Sequence, residues 1–247
     1  MTKRVVLVTG SSTGLGKAMA LGFARAGYKV AMNYQNNKAR AEAAFAELKS
    51  IGQPCVLTRA SVIDEADVKR MFAEIGSSLG PVDVVVANAT SDQPLKPIEE
   101  YDWAFFQEML DFFVKSPFLL TRAALPHMKK QRWGRLINIT SEVFQLGLHP
   151  FTAYVAAKGG QTGFSRSLAG ELAPFGITVN MIAPGWIPVE RHDKDPQAAK
   201  DAYLATVPAK RMGVPEDVVG AALYFASEGA SFVMGQTISV TGGHTVH

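Results

Sequence analysis

Tyr154 and Lys158 stand four residues apart in the run Tyr154-Val155-Ala156-Ala157-Lys158. On a helix this spacing puts both side chains on one face, a turn apart. The chemistry open to such a pair is proton transfer. An unperturbed tyrosine has a pKa of about 10, too high to trade a proton efficiently near neutrality, and a neighbouring ammonium favours the phenolate. Alone, the pair reads more readily as two partly exposed helix residues. A second feature is Thr9-Gly10-Ser11-Ser12-Thr13-Gly14-Leu15-Gly16-Lys17, a glycine-rich turn after a short apolar run and before a helical stretch. Glycines let backbone approach a pyrophosphate, whose charge is met by free N–H groups and the positive end of the helix dipole. In that strand-to-helix context the turn predicts a dinucleotide site.

The elements that must position these residues are visible in the hydrophobic pattern. Short β-branched runs occur at Val5–Val8, Val30–Asn33, Pro54–Thr58, Val82–Ala87, Arg135–Ile139, Thr178–Ile182 and Thr237–Val240. Stretches of helical period lie between them, among them Leu15–Ala26, Lys38–Ile51, Glu65–Leu79 and Tyr154–Ala173. Alternation of this kind predicts βαβ units. The fold class expected is α/β, a single Rossmann-type doubly wound parallel sheet of about seven strands with helices on both faces. At 247 residues, with no linker, repeat or low-complexity segment, the chain is expected to form one domain over residues 1–247. Residues 185–213, rich in Pro, Asp and Lys and without clear period, are expected to form a lid over a pocket.

Composition excludes several function classes. Twenty-five Lys and Arg against 22 Asp and Glu, scattered along the chain, leave a net charge of +3, so neither a nucleic-acid nor a membrane partner is implied. Cys55 is the single cysteine, and no His/Cys cluster has metal-ligand spacing, so no structural metal is expected. Lys3 and Arg4 precede an apolar run of only four residues, too short for a signal-peptide core. A cytoplasmic location is the expectation.

Several spaced motifs, in order along essentially the whole chain, resemble the short-chain dehydrogenase/reductase family. They are the Thr9–Gly16 turn with glycine spacing G-x-x-x-G-x-G, the Y-x-x-x-K pair, Ser141 thirteen residues before Tyr154, the segment Asn180-Met181-Ile182-Ala183-Pro184-Gly185, and the ending Gly235-Gln236-Thr237 through Gly242-Gly243. Within the family, Thr9–Lys17 and Asn33-Tyr34 look most like bacterial glucose 1-dehydrogenases and 3-oxoacyl carrier-protein reductases. The resemblance implies that Tyr154 donates a proton to a substrate carbonyl during reduction and accepts one during oxidation. It further implies that Lys158 lowers the pKa of the tyrosine and binds the nicotinamide ribose, and that Ser141 hydrogen-bonds the substrate oxygen. The cofactor-binding set it suggests is Gly10, Ser12, Thr13, Gly14, Leu15, Gly16, Asn33, Tyr34, Ser61, Val62, Asn88, Ala89, Tyr154, Lys158, Pro184, Gly185 and Ile187.

NAD-preferring dinucleotide enzymes usually place an acidic residue at the end of the second strand, where it would repel a 2′-phosphate. Here that position reads Asn33, followed by the uncharged Tyr34 and Gln35, with Lys17, Lys38 and Arg40 in the neighbourhood. NADP is therefore the expected cofactor. Thr13 stands where many NADP-preferring relatives carry a basic residue, which leaves NAD or dual use open. Two further departures concern the adenine end, where Ser61 replaces an aspartate, and Thr90, which ends the family's N-N-A-G as Ala87-Asn88-Ala89-Thr90.

The largest departure is Phe113, which falls where relatives carry an asparagine that holds a proton-relay water. Phenylalanine can neither hold such a water through its side chain nor pass on a proton. Three readings follow: a relay rerouted through backbone carbonyls, a changed chemistry, or a cofactor-binding sensor or scaffold protein that has lost turnover. The first is preferred because Ser141, Tyr154 and Lys158 are intact. Substrate contacts are expected from Glu142, Gln145 and Trp186, in a pocket that Phe144 and Ile187 also line, suited to a small-molecule carbonyl or alcohol such as a 3-oxoacyl thioester or a sugar. His149, with no partner in view, reads as a loop histidine. The aromatic run Phe105, Phe106, Phe112, Phe113 and Phe118, with the small residues Ala157, Gly160, Gly163 and Ala169, marks two helix faces that relatives pair between subunits, and so implies a homotetramer.

Overall fold

A computed structural model describes residues 4–246. Seven parallel strands form one sheet: β1 (Val5–Val8), β2 (Lys29–Tyr34), β3 (Cys55–Arg59), β4 (Val84–Ala87), β5 (Gly134–Ile139), β6 (Ile177–Pro184) and β7 (Thr237–Val240). Their spatial order is 3-2-1-4-5-6-7, so the order reverses between β1 and β4. In a doubly wound sheet, ligands bind at such a switch point, outside the carboxyl ends of the strands. Each expected run became a strand; the central ones, such as Val5–Val8 and Val84–Ala87, are apolar on both faces and buried throughout, which only a place between two helical layers satisfies.

Along β1, Val5 and Leu7 face one layer, packing with Met71 and Ile75 of α3 (Glu65–Ser78), Leu120 and Met128 of α5 (Ser116–Gln131) and Leu172 of α7 (Thr152–Leu172). Val6 and Val8 face the other, against Met19 and Phe23 of α1 (Gly14–Arg25), Leu48 of α2 (Lys38–Ser50) and Phe225 of α9 (Val219–Ala226). Side-chain oxygens of Asn37 and Asp64 accept from the N–H groups of Arg40 and Asp67 and start α2 and α3. At the amino edge, Asp83 accepts from the N–H of Val5 at 2.9 Å and from Gln131 at 2.8 Å, so the charged residues there tie strands together, away from the switch point.

Two local features depart from the periodicity. The aromatic helix is divided into α4 (Trp103–Leu110) and α5 by a π-helical turn over Asp111–Lys115, in which the N–H of Ser116 reaches back to the Asp111 carbonyl. Pro117 explains the break in the ladder: it has no N–H to offer the carbonyl four residues earlier. Within the expected lid a helix forms, α8 (Gln197–Thr206), with no fully buried residue. Its alanines give it helix propensity without an apolar stripe, which is why its period was invisible.

Candidate active site

The glycine turn closes on the ends of its neighbours. The Thr9 hydroxyl accepts from the N–H groups of Asn88 and Ala89, at 2.9 and 3.1 Å, and the Asn88 carboxamide donates to the Thr9 and Gly10 carbonyls. Gly10 has φ +59°, and a Cβ there would lie 2.7 Å from the Cα of Ala89; a Cβ at Gly16 would collide with the Gly10 carbonyl and the Asn88 amide. Backbone thus comes closest where the sequence has no side chain. Thr13 and Gly14 open α1 at the carboxyl edge of the sheet, with Ser12 and Leu15 beside them.

Burial raises the pKa of the Glu190 carboxyl, but the backbone of Glu190 and Gly14, together with the Lys17 charge, outweighs it and holds the group below the usual carboxylate range. The start of α1 thus favours a nearby negative charge, the field that a pyrophosphate requires.

Asn33 turns inward, 2% exposed. Its Oδ1 accepts from the Gly10 N–H at 3.3 Å, its Nδ2 donates to the Ala60 carbonyl at 3.1 Å, and its backbone is bonded in both directions to Ser11. Its side chain therefore braces the turn, and the residues that follow it, Tyr34 and Gln35, end the strand. Arg59, which sequence reasoning missed, pairs in register with Tyr34 and donates Nε to the Gln35 carbonyl at 3.1 Å. Lys17 is paired with Glu47 at 2.5 Å and Lys38 with Glu42 at 3.6 Å. At the adenine end, the Ser61 N–H donates to Asp67 and Val62 is buried.

α7 carries Tyr154 and Lys158 inward beside β5 and the π-helical turn. Tyr154 packs among Met109, Phe113, Val143 of the short α6 (Val143–Leu146), Phe151, Ala153 and Ala157, with the Phe113 ring edge-on at 5.2 Å. Burial raises the Tyr154 pKa above its ordinary value; the charge of Arg191 and a hydrogen bond with the Ser141 side chain pull the other way. Lys158 Nζ donates to the Ile139 carbonyl at 2.7 Å and to Gln161 Oε1 at 3.1 Å, and lies 3.8 Å from the Phe113 ring centre. Burial, reinforced by Arg191, pushes its pKa well below the usual lysine value. The lysine expected to draw the tyrosine down is thus itself discouraged from carrying charge. The glycine turn closes on Asn88 and Ala89 after β4, and Lys158 is tied to Ile139 of the neighbouring β5, so the two features meet at the carboxyl ends of adjacent strands.

Of the expected substrate residues, Glu142 is 3% exposed and faces a polar cluster: the Tyr203 hydroxyl donates to its Oε1 at 2.6 Å, and His244 Nδ1 lies 3.0 Å from its Oε2. Tyr203 in turn accepts from the Trp186 N–H at 2.9 Å, and its pKa is raised by burial and by Glu142. Glu142 therefore fastens α8 and the C-terminal segment to the residue after Ser141. No local signal foretold this, because its partners are 61 and 102 residues away. The amide nitrogen of Gln145, turned toward the backbone, reaches the Ser141 and Glu142 carbonyls at 2.9 and 3.1 Å. Pro184 accepts from the Glu142 N–H, the Gly185 N–H donates to Val240, and Ile187 is buried. His149 is exposed. Phe118 is exposed and outside the aromatic cluster, while Ala157 and Ala169 are intrachain core and Gly160 and Gly163 lie at the surface.

Among the described residues no group of His, Cys, Asp and Glu forms a metal site, and no helix is long and apolar enough to cross a membrane.

The comparisons with known proteins agree with this architecture. Residues 10–245 match the family model described as enoyl-(acyl carrier protein) reductase. The chain is 39% identical to the 3-oxoacyl-[acyl-carrier-protein] reductase FabG of Staphylococcus aureus over 98% of both chains, and 39% identical to that of Staphylococcus epidermidis over 96% of this chain and 97% of the other. A crystal structure assigned to a gluconate dehydrogenase from Agrobacterium tumefaciens superposes with a TM-score of 0.92 at 33% identity, covering 99% of this chain and 97% of the other. The chain belongs to the short-chain dehydrogenase/reductase family of oxidoreductases.

Proposed function

We propose that this protein is a cytoplasmic NADP-dependent reductase of a small-molecule carbonyl, or dehydrogenase of the matching alcohol, acting as one domain with a lid at about 185–213 and assembling as a homotetramer. The observation that carries the reading is that the glycine turn, closed on Asn88 and Ala89 after β4, and the Tyr154–Lys158 pair, tied to Ile139 of β5, lie at the carboxyl ends of adjacent strands, the arrangement that a dinucleotide site beside a proton donor needs. The dinucleotide, when bound, supplies the hydride. Gly10 and Gly16 let the turn close tightly on Ala89 and Asn88 so that its free N–H groups can face the pyrophosphate, and Lys158 binds the ribose.

Tyr154 gives its phenolic proton to the substrate oxygen, while Ser141 donates a hydrogen bond to the same oxygen and stabilises the charge developing there. Burial keeps Tyr154 in its protonated form, the form that can donate, which favours reduction. NADP is preferred over NAD because β2 ends on Asn33 and Tyr34 with no carboxylate, and Arg59 adds a cation at that edge. A 3-oxoacyl thioester, as in the relatives named above, and a sugar are the substrate classes to test.

The second reading, a cofactor-binding sensor or scaffold without turnover, draws on Phe113, whose ring faces Lys158 where relatives carry an asparagine. NADPH consumption over a panel of ketones, sugars and thioesters, run beside a fluorescence titration of NADPH binding, separates the two. Turnover supports the first; tight binding with no turnover on any substrate supports the second.

A further inference from the structure

Gln161 is 2% exposed, on the helix face that α7 turns toward the sheet. A buried position one turn beyond a buried lysine would ordinarily be apolar, since a carboxamide there must find partners for both its ends. Its Oε1 accepts from Lys158 Nζ at 3.1 Å. Buried hydroxyls on the same face bond the helix backbone on either side of it. The Ser165 hydroxyl donates to the Gln161 carbonyl at 2.7 Å and accepts from the Asn138 carboxamide of β5 at 2.8 Å, and the Thr162 hydroxyl donates to the Lys158 carbonyl at 2.8 Å. Lys158, Gln161, Thr162 and Ser165 therefore form one buried polar ladder, tied to the sheet through Asn138.

An ammonium has three N–H donors and no acceptor. Around Lys158 stand two oxygens, from Ile139 and Gln161, and the face of Phe113. A ring face favours a cation less strongly than an oxygen acceptor at hydrogen-bond distance does. The Ile139 carbonyl is fixed by the strand, so Gln161 is the side chain that decides how well the ammonium is satisfied. The other charged or titratable groups facing Lys158 are Tyr154 on its own helix and Arg191 of the lid. In the π-helical turn, Asp111 and Lys115 pair with each other at 3.9 Å. Glu142 is engaged by Tyr203 and His244.

We propose that Gln161 is a positioning residue for the reaction: its carboxamide oxygen accepts from the Lys158 ammonium, offsets part of the cost of burying that charge and keeps it on the face it shares with Tyr154, supplying the polar partner that Phe113 cannot. This rests on the oxidoreductase reading given above, and the test keeps the two apart. Lys158 is observed directly by heteronuclear NMR of chain carrying isotope-labelled lysine, with its signal assigned by its loss in Lys158→Met, in wild type, Gln161→Leu and Gln161→Glu. Removing the oxygen should lower the Lys158 titration midpoint by about one pH unit, a tenfold change in proton affinity, and the carboxylate of Gln161→Glu should raise it by at least as much. In the active enzyme, the limb of the kcat profile that reports the pair should move with the lysine, while NADPH binding stays within about threefold.

Should Gln161→Leu fail to fold, the upward shift in Gln161→Glu decides alone. Midpoints that do not move, or that move in one direction in both variants, overturn the proposal. Absence of turnover in wild type would count against the oxidoreductase reading and leave the lysine titration to be read on its own.

Discussion

Lys158 Nζ lies 3.8 Å from the centre of the Phe113 ring, and the same ring meets Tyr154 edge-on at 5.2 Å. One apolar side chain thus touches both members of the pair that would move a proton. The π-helical turn aims it there: the extra residue in the turn carries Phe113 inward, where it is 2% exposed.

Phe113→Asn removes this ring from a packed cluster and leaves a carboxamide in a cavity. Stability should fall by about 3 kcal/mol, or a melting temperature lower by roughly 6–12 °C for a chain of this size. The new amide adds a possible acceptor beside Lys158, so kcat per folded molecule should be retained or raised at pH values where proton transfer limits. Thermal melting and a pH–rate profile check both parts; an unchanged melting temperature would contradict the packing role.

Asn33→Asp would set a carboxylate oxygen against the Ala60 carbonyl, where the Asn33 amide now donates at 3.1 Å. The expected effect is lower stability, by about 1–3 kcal/mol, with the shift toward NAD secondary to it. Arg59→Ala should instead weaken NADPH by about tenfold and leave NADH within about twofold, since only the 2′-phosphate draws on that guanidinium. Fluorescence titrations with both cofactors distinguish these effects.

Tyr203→Phe removes the hydroxyl that donates to Glu142 and accepts from the Trp186 N–H. A buried carboxylate then loses a donor, and α8 loses its tie to Glu142 and Trp186. Substrate KM should rise about tenfold while NADPH binding changes less than threefold, and stability should drop by about 1–3 kcal/mol. Equal losses in both binding terms would point to general disruption of the fold.

Lys158 has a depressed pKa in the folded chain, so the folded state binds fewer protons there than the unfolded state. Its destabilising contribution is full below the folded pKa, shrinks as pH rises through the interval between the two values, and vanishes above the ordinary value of about 10.4. The melting temperature of Lys158→Met relative to wild type should therefore be most favourable near neutrality and decline steadily toward pH 10. Differential melting across that range checks the sign, and a constant difference would contradict it.

The sheet was legible because β-branched runs recur between helical stretches: Val5–Val8, buried throughout, is an unbroken apolar run, and the partly buried edge strand Thr237–Val240 alternates polar and apolar, each matching its strand residue for residue. The glycine turn and the Tyr154–Lys158 spacing were equally readable, since each depends only on neighbours in the chain. Other features depend on contacts across the fold. The inward direction of Asn33 follows from its bonds to Gly10 and Ala60, and the burial of Glu142 from Tyr203 and His244. Gln161 was visible as a polar residue three beyond Lys158, but only the burial of both gave it meaning. The π-helical turn had its signal in Pro117, whose missing N–H acts on the residues before it.

The most direct test of the central claim is the turnover of Tyr154→Phe against wild type, with NADPH and the best carbonyl substrate from the panel. The substitution deletes one hydroxyl and little volume, so NADPH binding should stay within a few-fold. Removing a general acid typically costs about 10²–10⁴-fold, and kcat should fall by at least a hundredfold. A variant that keeps more than about a tenth of wild-type activity would show that the proton comes from elsewhere and would contradict the role given to Tyr154.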